Sequence, residues 1–288
     1  MEKVLGGDNT MKNDSLKRSV HKIPSLPTLP VIAQEILMLI DDELVPVGKL
    51  ESIIENDPAI SARVLSLANS AFWGITPVKT LRDAIFRIGF NTVKHLAAGV
   101  SLMTLFDDGK HGKKGYQRVF NHSVAVGFIA KLLSRNLRMA VPEEMLMNGM
   151  LHDIGILALH RYFEDSYSEV LDRAGSGQSL IEAEKTVLDF THAEIGGWLA
   201  EEWGLPRSII HTTLYHHEPG MSKEHTKQAA VVHLADFLTA RSILCPVEKD
   251  PGYLLDPSCL SMLGISDKDM DSLVSQVQNG DLLNGLFV

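Results

Sequence analysis

Cysteine is nearly missing from this 288-residue chain, which has only Cys245 and Cys259. The two have no metal-type spacing and make no disulfide framework, so a reducing cytoplasm is the expected compartment. Aromatic residues are scarce as well, at 6%, although 45% of the chain is hydrophobic. That balance favours helices packed through Leu, Ile, Val, Ala and Met over a β-sandwich. Basic residues are not in excess: 27 Lys and Arg face 36 Asp and Glu, for a net charge of −9. General nucleic-acid binding needs a basic face, so no direct nucleic-acid partner is expected. No apolar run reaches the ~20 residues that span a bilayer, and the N-terminus lacks a basic-then-apolar secretory pattern. No membrane association is expected. Also absent are strand-like alternation, internal repeats, a Gly-x-Ser-x-Gly elbow, a Walker loop and a Gly-x-Gly-x-x-Gly turn.

What the chain does have is helical periodicity. Residues 1–20 are polar, without an apolar period, and read as a flexible leader or linker. Pro24, Pro27 and Pro30 follow as an extended entry, since proline disfavours helix at the residue before it. From Val31 the residues Ile32, Ile36, Leu39 and Ile40 recur near one face. Asp57-Pro58 is a strong helix start, with an acceptor at the cap and proline in the first turn. The spacing predicts further helices over 80–88, 91–105, 116–137, 142–158, 178–189, 192–203, 206–215 and 226–243, and one near 267–278. The Gly- and Lys-rich stretch 107–115 reads as a loop between an N-terminal helical part (21–106) and a helical bundle (116–245). A C-terminal helical extension would occupy 246–288. The fold class is therefore expected to be all-α.

Within these helices, residues 151–155 read Leu-His-Asp-Ile-Gly. Polar groups in so apolar a setting are costly unless partners satisfy them. Adjacent helical residues point ~100° apart, so His152 and Asp153 can serve one point only near a helix end or around a pair of metals. Candidate companions are His122, His192, His216, His217 and Asp236, the last inside the apolar segment 231–238. Such mixed nitrogen and oxygen donors suit Fe, Mn, Zn or Mg rather than a thiolate site. A carboxylate bridging two ions, with imidazoles completing each shell, is a workable hydrolytic arrangement. One ion and two are both open. Taken singly, each residue also has a plainer reading. A lone histidine is usually a hydrogen-bonded core or surface residue, Asp236 can bond a backbone amide, and His217 can sit as a cation at a helix C-terminus. The ordered set favours the metal.

Several strings in the chain resemble the HD superfamily, and more narrowly the HDOD family of HD-related output domains in bacterial signalling proteins. They are Leu26-Pro27-Thr28-Leu29-Pro30, Asp57-Pro58-Ala59-Ile60, Ala68-Asn69-Ser70-Ala71-Phe72-Trp73-Gly74 and Ala84-Ile85 with Ile88-Gly89. Further along come Gly149-Met150-Leu151-His152-Asp153-Ile154-Gly155, Trp203-Gly204-Leu205-Pro206 and His216-His217-Glu218-Pro219. The resemblance spans roughly residues 20–245. It implies a multi-helix HD-type bundle with an N-terminal helical subdomain. It also implies a regulatory role exercised on a signalling partner such as a kinase, receiver or regulator. Similarity to the related HD-GYP phosphodiesterases places His122, His152, Asp153, His192, His216, His217 and Asp236 at metal-ligand positions. The chain also departs from those enzymes. Ile156 stands where they carry a lysine, Glu218-Pro219-Gly220-Met221 replaces the Gly-Tyr-Pro element, and Arg118 stands where some three-metal relatives place a glutamate. The expected function is a non-catalytic signal-transduction module acting through protein–protein contact, with or without a bound metal. The alternative is a metal-dependent phosphohydrolase acting on a nucleotide or phosphodiester through a dinuclear site, and a third reading is an iron- or oxygen-sensing centre. Oligomeric state is left open.

Overall fold

Caps coded in the sequence set where the helices begin. In the computed structural model, which describes residues 27–40, 42, 44–70, 76–107, 113–140, 142–241 and 254–278, the Asp57 carboxylate accepts from the amides of Ala59 and Ile60 at 2.9 and 3.0 Å. Thr191 and Glu194 form a reciprocal capping box, which satisfies two otherwise orphaned amides at that helix start. The leader assigned to residues 1–20, and Cys245, lie outside the described residues.

The N-terminal half contains α1 (Val31–Leu39), α2 (Val47–Glu55), α3 (Pro58–Ala68), α4 (Leu81–Ile88) and α5 (Phe90–Met103). The second half begins with the long α6 (Lys113–Asn136), followed by α7 (Pro142–Leu151), α8 (Ile154–Tyr162), α9 (Glu164–Gly175) and α10 (Leu180–Leu188). Then come α11 (His192–Glu202), α12 (Arg207–Tyr215) and α13 (Thr226–Ala240), with α14 (Pro257–Leu263) and α15 (Asp267–Gln278) after them. No strand occurs among the described residues, and no helix among them is long and apolar enough to cross a membrane.

The continuous helix expected over 142–158 is two helices. The chain turns at His152 and Asp153, so the pair occupies the junction between α7 and α8. α6 likewise starts at Lys113, inside the stretch read as a loop. That stretch does not divide two cores, because one apolar cluster runs from Ala33 and Ile36 through Val126 to Leu238. The indole N–H of Trp203 also donates to the Pro27 carbonyl at 3.0 Å, pinning the N-terminal entry onto the second half.

α6 and α7 meet at Gly127 and Gly149. A Cβ on Gly149 would stand 2.7 Å from the Gly127 Cα, and one on Gly127 2.5 Å from the Leu146 carbonyl oxygen. Only glycine permits this approach, and it brings His122 of α6 close to the end of α7.

Lys131 of α6 is buried, donating to the Thr92 hydroxyl with Glu143 at 3.8 Å. Burial lowers its pKa to about 8, Arg135 acts in the same direction, and Glu143 opposes them. The folded value lies below the unfolded one of roughly 10.4. Between the two the unfolded chain binds more protons, so this group makes stability rise with pH through that window. Lys131→Met should remove that slope and stabilise the protein near neutral pH by about 1–2 kcal/mol. Urea midpoints for both proteins near pH 7 and near pH 9.5 test this; an unchanged slope in the variant is the contrary result.

Candidate metal centre

Four segments converge on the α7–α8 junction: α6 with His122, the turn into α11 with His192, the end of α12 with His216 and His217, and α13 with Asp236. All seven residues singled out in the sequence are brought together, and all but the half-buried His217 are buried.

The carboxylate of Asp153 faces two ways. Its Oδ2 lies 3.1 Å from His152 Nε2 and 3.7 Å from His122 Nε2. Its Oδ1 lies 3.4 Å from His192 Nε2 and 3.5 Å from His216 Nε2. Asp236 Oδ1 joins the first group, 2.9 Å from His122 Nε2 and 3.8 Å from His152 Nε2. In the second group His192 Nε2 stands 3.4 Å from His216 Nε2 and 2.9 Å from His217 Nε2. Among the described residues, His122 with His152 and Asp153, and His192 with His216 and His217, are the two close-set donor groups.

The backs of three of the rings are tied down. His152 Nδ1 meets the Gly149 carbonyl at 2.7 Å and His216 Nδ1 meets the Thr213 carbonyl at 2.8 Å. His192 Nδ1 meets both oxygens of Glu184 at 2.9 Å, and the same carboxylate accepts the His192 backbone amide at 2.9 Å. A carbonyl or carboxylate partner fixes Nδ1 as the protonated nitrogen, which leaves Nε2 lone pairs turned inward. Each then needs a proton or a cation. His152 Nε2 makes no hydrogen bond despite lying within 3.1 Å of a carboxylate oxygen.

Electrostatics show the same demand. Burial opposes charge on His152 and His192, yet Asp153 raises the first, and Glu184 followed by Asp153 and Asp236 raises the second to about 9. Burial also opposes ionisation of the aspartates, but His152 holds Asp153 well below its usual range, and His122 and His152 hold Asp236 at about 2. Burial lowers His216 to about 4 and puts His217 well below its usual value, so both rings are neutral donors.

These residues fit a divalent ion. Donors bound at about 2.0–2.2 Å stand roughly 3–3.5 Å apart, and the separations above run from 2.9 to 3.8 Å. His122, His152, Asp153 and Asp236 would hold one ion; His192, His216 and His217 would hold a second, with Asp153 between them. A metal bound there supplies Lewis acidity.

Two supporting residues escape the sequence motifs. Glu184 is fully buried behind His192. Its signal was its position among Leu180, Ala183, Val187 and Leu188, a carboxylate on the apolar face of a helix. His233 gives its Nδ1 proton to the His216 carbonyl at 2.7 Å and accepts the Asp256 amide at Nε2, 2.8 Å away. It thereby fastens the end of α12 to α13 and the C-terminal helices. Glu184→Gln should weaken metal binding about 10–100-fold, the usual cost of losing the carboxylate behind a histidine ligand. A chelator-competition titration measures this, and parental affinity in the variant would remove Glu184 from the centre.

Comparisons with known proteins agree with the architecture. Residues 26–219 match the HDOD domain family. An uncharacterized protein of Treponema pallidum is 27% identical over 246 residues, covering 81% of this chain and 46% of its own length. Ribonuclease Y of Thermosipho melanesiensis is 31% identical over 124 residues, 43% of this chain and 19% of that enzyme. The chain thus spans less than half the length of these relatives. Among solved structures, an HDOD domain protein of unknown function from Geobacter sulfurreducens superposes with a TM-score of 0.80 at 23% identity, covering 96% of both chains. A signal-transduction candidate from Marinobacter aquaeolei gives 0.74 at 23% identity, over 98% of this chain and 67% of that one. A candidate phosphohydrolase from Shewanella amazonensis gives 0.71 at 24% identity, over 91% and 93%.

Proposed function

The chain belongs to the HDOD domain family, and on that premise we propose that it is a bacterial regulatory module that holds a divalent metal centre and signals by contact with a partner protein. The observation that carries this reading is Ile156. At the position where HD-GYP phosphodiesterases carry a lysine, the chain places an isoleucine packed against the apolar core. No lysine or arginine among the described residues pairs with Asp153 or Asp236 either; their ionic contacts are all histidines. A phosphoester substrate carries charge that hydrolases meet with cations beside the metals. This centre keeps the donors and lacks that complement, which suits holding a metal better than turning over a phosphodiester.

The same buried donors support a regulatory use of the metal. Pulling it out would leave two buried carboxylates and inward-facing imidazole nitrogens without their shared cation at the junction of four helical segments, so occupancy bears directly on how those helices pack. The partner, a kinase, receiver or other regulator, would read that packing. Metal analysis of the purified chain, followed by phosphodiesterase and phosphomonoesterase assays with added Mn or Fe, tests the reading. The expected result is about one to two divalent ions per chain and no turnover. Robust hydrolysis that Asp153→Ala abolishes would replace this reading with the phosphohydrolase, the alternative that the full donor set keeps in play.

A further inference from the structure

A cavity of about 450 Å³ opens where α1 and α5 of the N-terminal half face α7 and the start of α12. Its lining includes the polar Lys94, His95, Glu143 and Glu144 and the apolar Met147 and Ile209. It is separate from the metal centre, although α7 and α12 both run on to metal-centre residues.

His95 is only 7% exposed. Its Nδ1–H donates to the Asn91 carbonyl at 2.7 Å, which leaves Nε2 as an acceptor, and no group among the described residues hydrogen-bonds to it. Burial lowers the ring's pKa and neighbouring Lys94 pushes the same way, against the Asn91 carbonyl. Nε2 therefore keeps its lone pair at neutral pH.

The charges on the wall are unequally matched. Lys94 donates to the carbonyls of Leu39 and Ile40 at 3.0 and 2.8 Å, closing the end of α1. Glu143 is answered by Arg135 at 2.9 Å and Lys131 at 3.8 Å. Glu144 accepts the Ser208 hydroxyl, and no lysine or arginine among the described residues pairs with it. The lining thus offers a carboxylate without a cationic partner and a bare imidazole nitrogen in the same cavity as aliphatic surface. His95, Glu143 and Glu144 do not form a close-set donor group of the kind found at the metal centre, which disfavours a bare metal ion.

We infer that this cavity binds a small organic cation, a primary amine or guanidine with an apolar body, whose N–H groups bond Glu144 and His95 Nε2 while its body lies against Met147 and Ile209. Its volume falls within the range of small-molecule sites. An anion would meet the Glu144 carboxylate, while the Lys94 ammonium is already engaged by the Leu39 and Ile40 carbonyls. The inference does not depend on the metal centre, so it can fail or hold independently of the proposed function.

Isothermal titration of the full chain as purified, using 2-phenylethylamine, 2-phenylethanol and 3-phenylpropanoate, tests it. The amine should bind saturably, the alcohol about tenfold or more weakly, and the carboxylate not at all. Glu144→Gln keeps an acceptor for Ser208 and should weaken the amine about tenfold. Ala140→Trp fills the mouth of the cavity from an exposed position and should block it, which serves if the first variant folds poorly. Preferred binding of the carboxylate, no saturable amine binding up to about 10 mM, or amine binding unchanged in both folded variants overturns the inference.

Discussion

Asp153→Asn lowers divalent-metal affinity by at least about 100-fold, at both halves of the centre together, because the loss of one ligand exceeds the loss of a group that merely supports a ligand. The substitution keeps the shape of the side chain and removes its charge. That charge is shared: Oδ2 faces His152 and His122, and Oδ1 faces His192 and His216. An amide presents one oxygen at most and no charge, so one group loses an oxygen donor and both lose the shared negative charge, with Asp236 left as the carboxylate on the His122 side. His217→Ala makes the contrast, since His217 belongs to the donor group of His192 and His216. It should weaken one ion and spare the other. Competition titrations with a calibrated chelator, together with metal content after gel filtration, measure both variants. If Asp153→Asn retains metal as the parent does, or if it loses one ion and leaves the other untouched, the shared-carboxylate description is wrong.

The centre was legible in the sequence because its donors are chemically conspicuous. A carboxylate at 236 inside Val231–Leu238, or an adjacent His-Asp pair in an apolar run, conflicts with its own local pattern. The supporting shell was less visible. Glu184 stands on the apolar face of its helix, which marks it as unusual without naming His192 as its partner, and His233 has no motif around it, because hydrogen bonds to a neighbouring segment leave no periodic trace. Helix boundaries failed where tertiary contacts override period. Apolar spacing runs unbroken from Met145 to Leu159, yet the chain turns at 152–153, where His152 bonds back to Gly149 and Asp153 leaves the helical region at φ −101° and ψ 18°. The short α14 could have been read, since Asp256-Pro257 repeats the Asp57-Pro58 start and Asp256 caps Ser258 at 2.7 Å. The polar α9 buries just Tyr167 and Val170, which gives little apolar period between the stronger patterns on either side. Belonging to the HDOD family covers residues 26–219 and says least about α14 and α15, of which α14 is tied to α13 through Cys259 and Asp256.

Gly155→Ala is expected to be the most damaging glycine-to-alanine change among the described residues. A Cβ there would lie 1.9 Å from the His192 carbonyl oxygen, 2.8 Å from the His192 carbonyl carbon and 3.0 Å from the Gly196 amide nitrogen. All three atoms are backbone, so no rotamer change relieves the clash; α8 and α11 must move apart by more than an ångström. Overpacking that shifts backbone costs about 3 kcal/mol or more. The damage falls on the centre too, because α8 begins immediately after Asp153 and α11 begins with His192, whose Nε2 stands 3.4 Å from Asp153 Oδ1. Separating the helices widens that gap and pulls His192 away from Glu184. Gly175→Ala provides the control. At the end of α9 an added Cβ meets nothing within 4 Å, and the change should be neutral or stabilising by up to ~1 kcal/mol. Urea denaturation of the two variants, with metal titration of whichever remains folded, separates a close helix contact from a general intolerance of alanine. A Gly155→Ala protein with parental stability and metal affinity would mean that α8 and α11 do not approach this closely.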